Sequence, residues 1–165
     1  MMKVLFALLV CAVSVPASAQ SADALYRQAC GPKDAQFTVQ QAKGQPPTAP
    51  EPGKALVYFI QIEDSPIFIT RVGLDGAWVG VIHHDSYIFA SVAPGEHHAC
   101  VASQDRKRPG AELAHFTAEA GRTYYYLVRG ITGSVTYTLL FDVADRDEAL
   151  YLIASDPMSV AQPRQ

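Results

Sequence analysis

The stretch RVGLDGAWVGVIHHDSYIFASVAPGEHHAC, residues 71–100, decides the fold. It reads as three short strands joined by two tight turns. Leu74-Asp75-Gly76-Ala77 sets Asp-Gly between two apolar runs. That pattern marks a two-residue hairpin whose central positions both need positive φ, which glycine adopts without steric cost. Ala93-Pro94-Gly95-Glu96 is the second turn: Pro94 pre-sets φ and Gly95 takes the left-handed position. Asp75, Gly76, Pro94 and Gly95 are therefore read as structural turn residues. Between the turns, His83-His84-Asp85-Ser86 is a third, more polar break. Residues 87–92 then alternate, with Tyr87, Phe89 and Ser91 on one face and Ile88, Ala90 and Val92 on the other. Neither face is strongly polar, as expected of a strand in a two-layer β protein.

Working outward, residues 54–62 (KALVYFIQI) are apolar on both faces, which fits a central strand covered on each side. Residues 67–74, 113–118, 123–129 and 135–141 add further strands, separated by turn signals such as Glu63-Asp64-Ser65-Pro66, Gly121 and Gly130. Seven or eight strands with turns at short intervals predict a mainly β chain, an antiparallel β-sandwich rather than a parallel α/β sheet. A short helix is expected from Ser21 to Ala29, with Ser21 as N-cap and Gly31-Pro32 as the stop. A second, C-terminal helix is expected from Asp145, with Glu148 in capping-box spacing and Ala149, Leu152 and Ile153 on one apolar face.

Around the central turns the chain resembles a known family. Gly73-Leu74-Asp75-Gly76, Trp78-Val79-Gly80, an aromatic strand, then Ala93-Pro94-Gly95-Glu96-His97 and Cys100 resemble the bacterial family called domain of unknown function 2846. More distantly, the pattern is similar to PEGA-type modules. The resemblance covers residues 52–147, roughly, and implies an Ig-like or PEGA-like sandwich whose relatives serve mostly as adaptors. It implies no catalytic residue, because the family carries no assigned function.

The organisation predicted from these signals has five parts. Residues 1–19 read as a signal peptide: Lys3 supplies charge, an apolar run follows, and Ala17-Ser18-Ala19 is a small-x-small cleavage site. The run is shorter than the ~20 residues a membrane span takes. Lipidation at Cys11 is disfavoured, since the branched Val10 precedes it. Residues 20–42 form an N-terminal appendage, with a short strand near Phe37-Thr38-Val39. Residues 43–53 are a proline-rich, extended linker. Residues 54–155 hold the sandwich and its terminal helix, and residues 156–165 are a flexible tail. Such a chain is exported, periplasmic or secreted, with no transmembrane segment in its mature form.

Removing residues 1–19 leaves 165 − 19 = 146 residues, enough for one domain with a real core. Lys+Arg falls from 13 to 12 and Asp+Glu stays at 16, so the formal charge is 12 − 16 = −4. That balance excludes nucleic acid, which demands a basic footprint. Arg106-Lys107-Arg108 beside Pro109-Gly110 reads as a solvated loop tip.

Two cysteines, Cys30 and Cys100, remain after export, and an oxidising compartment pairs them. The bridge would tie the N-terminal segment to the strand after the second turn. No C-x-x-C pair accompanies a redox alternative. His83, His84, Asp85, Glu96, His97, His98 and His115 are metal-ligand types. Adjacent histidines on a strand point to opposite faces, however, and the two groups sit roughly 20 Å apart along it. They are read as solvated turn histidines, and no metal or cofactor is assigned. No G-x-S-x-G or convergent acid pair supports catalysis, so a non-enzymatic module is expected. Trp78, Tyr124 and Tyr126 are the candidate binding face, since Tyr124 and Tyr126 share one side of a strand. An unknown envelope protein is the expected partner, a glycan stacking on those rings the second choice, and a small periplasmic hydrolase the third.

Overall fold

The computed structural model describes residues 20–63, 68–105, 107, 110–132 and 137–164. The expected signal peptide and Cys11 lie outside these residues, as do Arg106 and Arg108. The described chain is mainly β, with 55% of it in strands, and two sheets pack face to face between two helices.

The elements run in order α1 (Ala22–Ala29), β1 (Phe37–Ala42), β2 (Ala55–Glu63), β3 (Ile69–Leu74), β4 (Ala77–His83) and β5 (Ser86–Val92). They continue through β6 (Gly95–Ser103), β7 (Ala111–Ala118), β8 (Thr123–Thr132), β9 (Tyr137–Val143), α2 (Arg146–Ser155) and β10 (Met158–Pro163). One sheet has six strands in the order β1-β10-β5-β2-β8-β9. The other has four, β4-β3-β6-β7. Pairing is antiparallel except where β2 meets β8 and where β10 meets β5.

The stretch 71–100 contains four strands, not three, and the third of them, β5, lies in the other layer. The Asp75-Gly76 turn closes the β3–β4 hairpin within the four-stranded sheet, with φ of 50° and 81° at its two residues. His84 (φ 60°) and Asp85 then carry the chain across to β5 in the other sheet. Pro94 and Gly95 (φ 136°) carry it back to β6. The polar break at His83–Ser86 is thus a sheet-to-sheet crossing. Its crossing role was hidden because a hairpin and a crossover use the same turn chemistry.

β2 justifies its two-sided apolar pattern. Ala55, Val57 and Phe59 face the inter-sheet core, together with Val72, Ile82, Ala99, Val101, Phe116, Tyr126, Val128 and Leu139. Leu56, Tyr58 and Ile60 face outward, where Ala149 and Ile153 of α2 cover them. α2 forms because Asp145 caps it, its carboxylate accepting from the backbone N–H of Asp147 (2.9 Å) and Glu148 (3.2 Å). α1 is capped by Ser21 Oγ, which accepts from Ala24 N–H, and ends as Cys30 N–H donates to Tyr26 O.

Residues 20–42 are no mere appendage. β1 pairs antiparallel with β10 over six residue pairs and so extends the six-stranded sheet. The segment before it lies on the outer face of the four-stranded sheet, where Ala29 and Cys30 bury against Cys100 and Ala102. Cys30 and Cys100 form the expected disulfide. Met158–Pro163, expected as part of a loose tail, is β10. Both strands are short and partly polar (FTVQQA, MSVAQP), so neither shows the alternation that marks a strand in isolation. The linker is also anchored, since Tyr58 Oη donates to Pro47 O on the outer face of the sheet.

Gly73 marks how closely the N-terminal segment docks. A Cβ there would stand 2.8 Å from Ala29 O and 3.0 Å from Cys30 Cα, backbone atoms that the disulfide keeps from retreating. Gly73→Ala is therefore expected to destabilise the protein by about 1–3 kcal/mol through overpacking, read as a lower thermal midpoint. An unchanged midpoint would mean that the segment is free to move aside.

Candidate functional site

The aromatic residues singled out in the sequence do not share a surface. Tyr126 is 5% exposed and sits in the inter-sheet core, its ring 5.9 Å from that of Phe59 and 5.1 Å from that of Phe141. Burial, with Tyr124 nearby, pushes its phenol up to about 12. Tyr124 does share that face, as expected, and so points inward too. Its ring packs 5.6 Å from Phe116, and its hydroxyl accepts from Glu119 N–H. Trp78 belongs to the other sheet. Its indole Nε1–H donates to Pro32 O, and the Arg71 guanidinium stacks 4.6 Å from its ring centroid. Trp78 thus seats the N-terminal segment. The three rings form no common plane for a sugar, because inward and outward faces of an apolar strand carry the same residue types.

The histidines are placed differently again. His97 is buried, with Nδ1 2.6 Å from Asp75 Oδ2 and Nε2 2.8 Å from Ala93 O. His98 points to the opposite face, its Nε2 2.7 Å from Gln28 Nε2 and its ring 5.1 Å from that of His115. Among the described residues no three His, Cys, Asp or Glu side chains gather as a metal-holding group. The expectation of solvated histidines is wrong for His97, which is a structural residue of the core edge.

Cavities flank both helices. One, of about 490 Å³, lies under the N-terminal segment and is lined by Tyr26, Lys33, Arg71, Ser103 and Asp105 among others. Its polar groups are largely committed: Arg71 donates to the carbonyls of Lys33, Ala35 and Ser103, and Lys33 pairs with Asp23. Another, of about 550 Å³, lies between the ends of β1 and α2 and includes Lys43, Tyr87 and Asp156. Burial and the nearby Asp85 raise the Asp156 carboxyl above its ordinary value. In the first cavity Ser103 Oγ accepts from the backbone N–H of Asp105 (3.1 Å).

The sheet edges distinguish one surface. An edge strand presents unpaired N–H and C=O groups, and proteins guard such edges with charges, prolines, bulges or covering segments. β7 carries Glu112 and His115. β4 packs beside β10 and β1. β1 is capped at Phe37, whose N–H donates to Gln104 Oε1 and whose carbonyl accepts from Gln104 Nε2. β9 (YTLLFDV) is an edge strand too, and it packs beside β7 and β6 as β4 packs beside β10 and β1. Its ladder to β8 is regular over seven pairs, it contains no Pro, Lys or bulge, and Asp142 is its one charge. Val143 at its end is 78% exposed. After Ala144 and Asp145 α2 begins, and its outer face shows Tyr151 (73% exposed) and Leu150. A helix that is apolar beyond its buried stripe is unusual on an open surface. The run 137–154 is therefore the candidate interaction surface, an edge strand with one charge followed by a helix with exposed apolar residues. Sequence reading missed it because edge position follows from sheet order, which no local pattern encodes.

No helix among the described residues is long and apolar enough to cross a membrane. The disulfide points to an oxidising compartment. No family model, curated protein or solved structure matches the chain.

Proposed function

We propose that this chain is an exported, non-enzymatic interaction module of the cell envelope that takes an extended strand of a protein partner along β9. The β9 edge, which has one charge and no proline, lysine or bulge, carries the reading. Strand addition to such an edge draws affinity from main-chain hydrogen bonds and specificity from alternate side chains. Export rests on the sequence of residues 1–19 and on the Cys30–Cys100 bridge, and the adaptor role accords with the resemblance at the turn motifs.

Site-specific photo-cross-linking from position 143 in the native envelope tests this. A discrete protein adduct is expected from 143, and none from Gln40 on the guarded β1 edge. Thr138→Lys with Val143→Lys places two charges on exposed edge positions and should cut capture of that protein by tenfold or more. Exposed substitutions of this kind usually cost within about 0.5 kcal/mol, so the fold is retained. Equal labelling from 143 and 40, or capture unaffected by the lysines, would refute the β9 reading.

A further inference from the structure

The imidazole of His97 has an arrangement that a neutral ring does not satisfy. Nδ1 faces the Asp75 carboxylate at 2.6 Å and Nε2 faces the Ala93 carbonyl at 2.8 Å. Both partners only accept. A neutral histidine has one N–H and one lone pair, so it leaves one of these contacts as acceptor against acceptor. The imidazolium donates to both.

The ring also sits where it joins three parts of the fold. Asp75 belongs to the β3–β4 turn, Ala93 to the crossing between sheets, and His97 to β6. The turn is held to β6 a second time: Asp75 N–H donates to His98 O (2.8 Å), and His98 N–H donates to Asp75 Oδ1 (2.9 Å). The C-terminal turn of α1 rests on this assembly. A Cβ on Gly76 would stand 2.9 Å from Arg27 O, and the Gln28 side-chain nitrogen lies 2.7 Å from His98 Nε2.

We infer that His97, Asp75 and Ala93 form a pH-sensitive clasp: the imidazolium holds the Asp75-Gly76 turn closed, and its deprotonation loosens the seat of α1 while the Cys30–Cys100 bridge keeps the helix tethered. The inference is independent of the partner reading, since none of the clasp residues belongs to β9 or α2.

The charged surroundings leave Asp75 as the group that governs the ring. From β7, Phe116 stacks 5.5 Å away, while His115 faces Glu96 of β6 at 4.0 Å. From β8, Tyr124 reaches Phe116, its hydroxyl already bound to Glu119 N–H. His98 points away toward Gln28. Burial disfavours the charged ring, but the bonds to Asp75 and Ala93 outweigh it and hold His97 above its ordinary 6.5. Burial likewise opposes ionisation of Asp75, and the His98 N–H and His97 outweigh it, holding Asp75 below its ordinary 3.8.

The sign follows from linkage. A raised histidine gives stability that is complete below 6.5 and is lost as pH rises through its folded value. A lowered aspartate gives stability that is present above 3.8 and is lost as pH falls through its folded value. The clasp is whole between the two and opens on the alkaline side.

Nitrogen-detected NMR of the intact, oxidised protein tests the inference. At mildly acidic pH both His97 ring nitrogens should carry protons, with a titration midpoint above that of a histidine in an unstructured peptide. Amides of Arg27, Gln28 and Gly76 should shift with the same midpoint. Asp75→Asn should lower that midpoint and His97→Gln should abolish the shared transition. One bare ring nitrogen at mildly acidic pH, or α1 amides that ignore the His97 transition, would overturn it. Should His97→Gln fail to fold, the wild-type titration and Asp75→Asn still decide.

Discussion

Phe59→Ala is expected to destabilise the protein by about 3–5 kcal/mol, the range for emptying a buried aromatic site. Phe59 is 0% exposed at the centre of β2, the strand that pairs with both β5 and β8. Its ring lies 5.9 Å from that of Tyr126 and 6.0 Å from that of Phe141, so its loss leaves a void that three strands cannot close without breaking their ladders. For a chain of this size the thermal midpoint should fall on the order of 10 °C. Tyr126→Ala should behave alike, because that residue belongs to the same aromatic stack. A Tyr126→Ala protein that melts like wild type but loses a ligand would restore it as a binding residue.

Removing the disulfide should cost about as much. Cys30 and Cys100 lie 70 residues apart, and closing a loop of that length constrains the unfolded chain by about 4 kcal/mol on the loop-entropy argument. Both cysteines are buried, so the paired substitution Cys30→Ala with Cys100→Ala also leaves part of the contact among Ala29, Ala102 and Trp78 unfilled. The expected fall in midpoint is again on the order of 10 °C. Differential scanning calorimetry with and without reductant measures it. A shift below about 2 °C would mean that the N-terminal segment contributes little to the fold.

Much of the architecture was legible in local sequence. The Asp75-Gly76 turn needed two positive φ values, and it has them. The two-sided apolar run of β2 correctly implied cover on both faces, and the capping residues Ser21 and Asp145 start both helices. What stayed hidden depends on contacts distant in sequence. β1 and β10 lie more than a hundred residues apart, and each is defined by the other rather than by its own pattern. The same holds for the site. Which of Trp78, Tyr124 and Tyr126 faces water is set by which layer covers the strand, and an inward ring and an outward ring read alike. His97 looked like a turn residue because its partners, Asp75 and Ala93, come from two other segments. The edge position of β9 follows from strand order alone.

Both ends of the described chain are built into the sandwich, and β9 is an edge strand of the six-stranded sheet with a single charge. Hydrogen exchange of the free, oxidised protein, read residue by residue, tests both at once. Amides in the β1–β10 ladder should be protected with the rest of the six-stranded sheet, while alternate amides of β9 exchange faster than those of β2 by orders of magnitude. Unprotected β1 and β10 would return residues 20–42 and 156–165 to the status of appendages. Uniform protection across β9 would contradict the edge position on which the proposed partner depends.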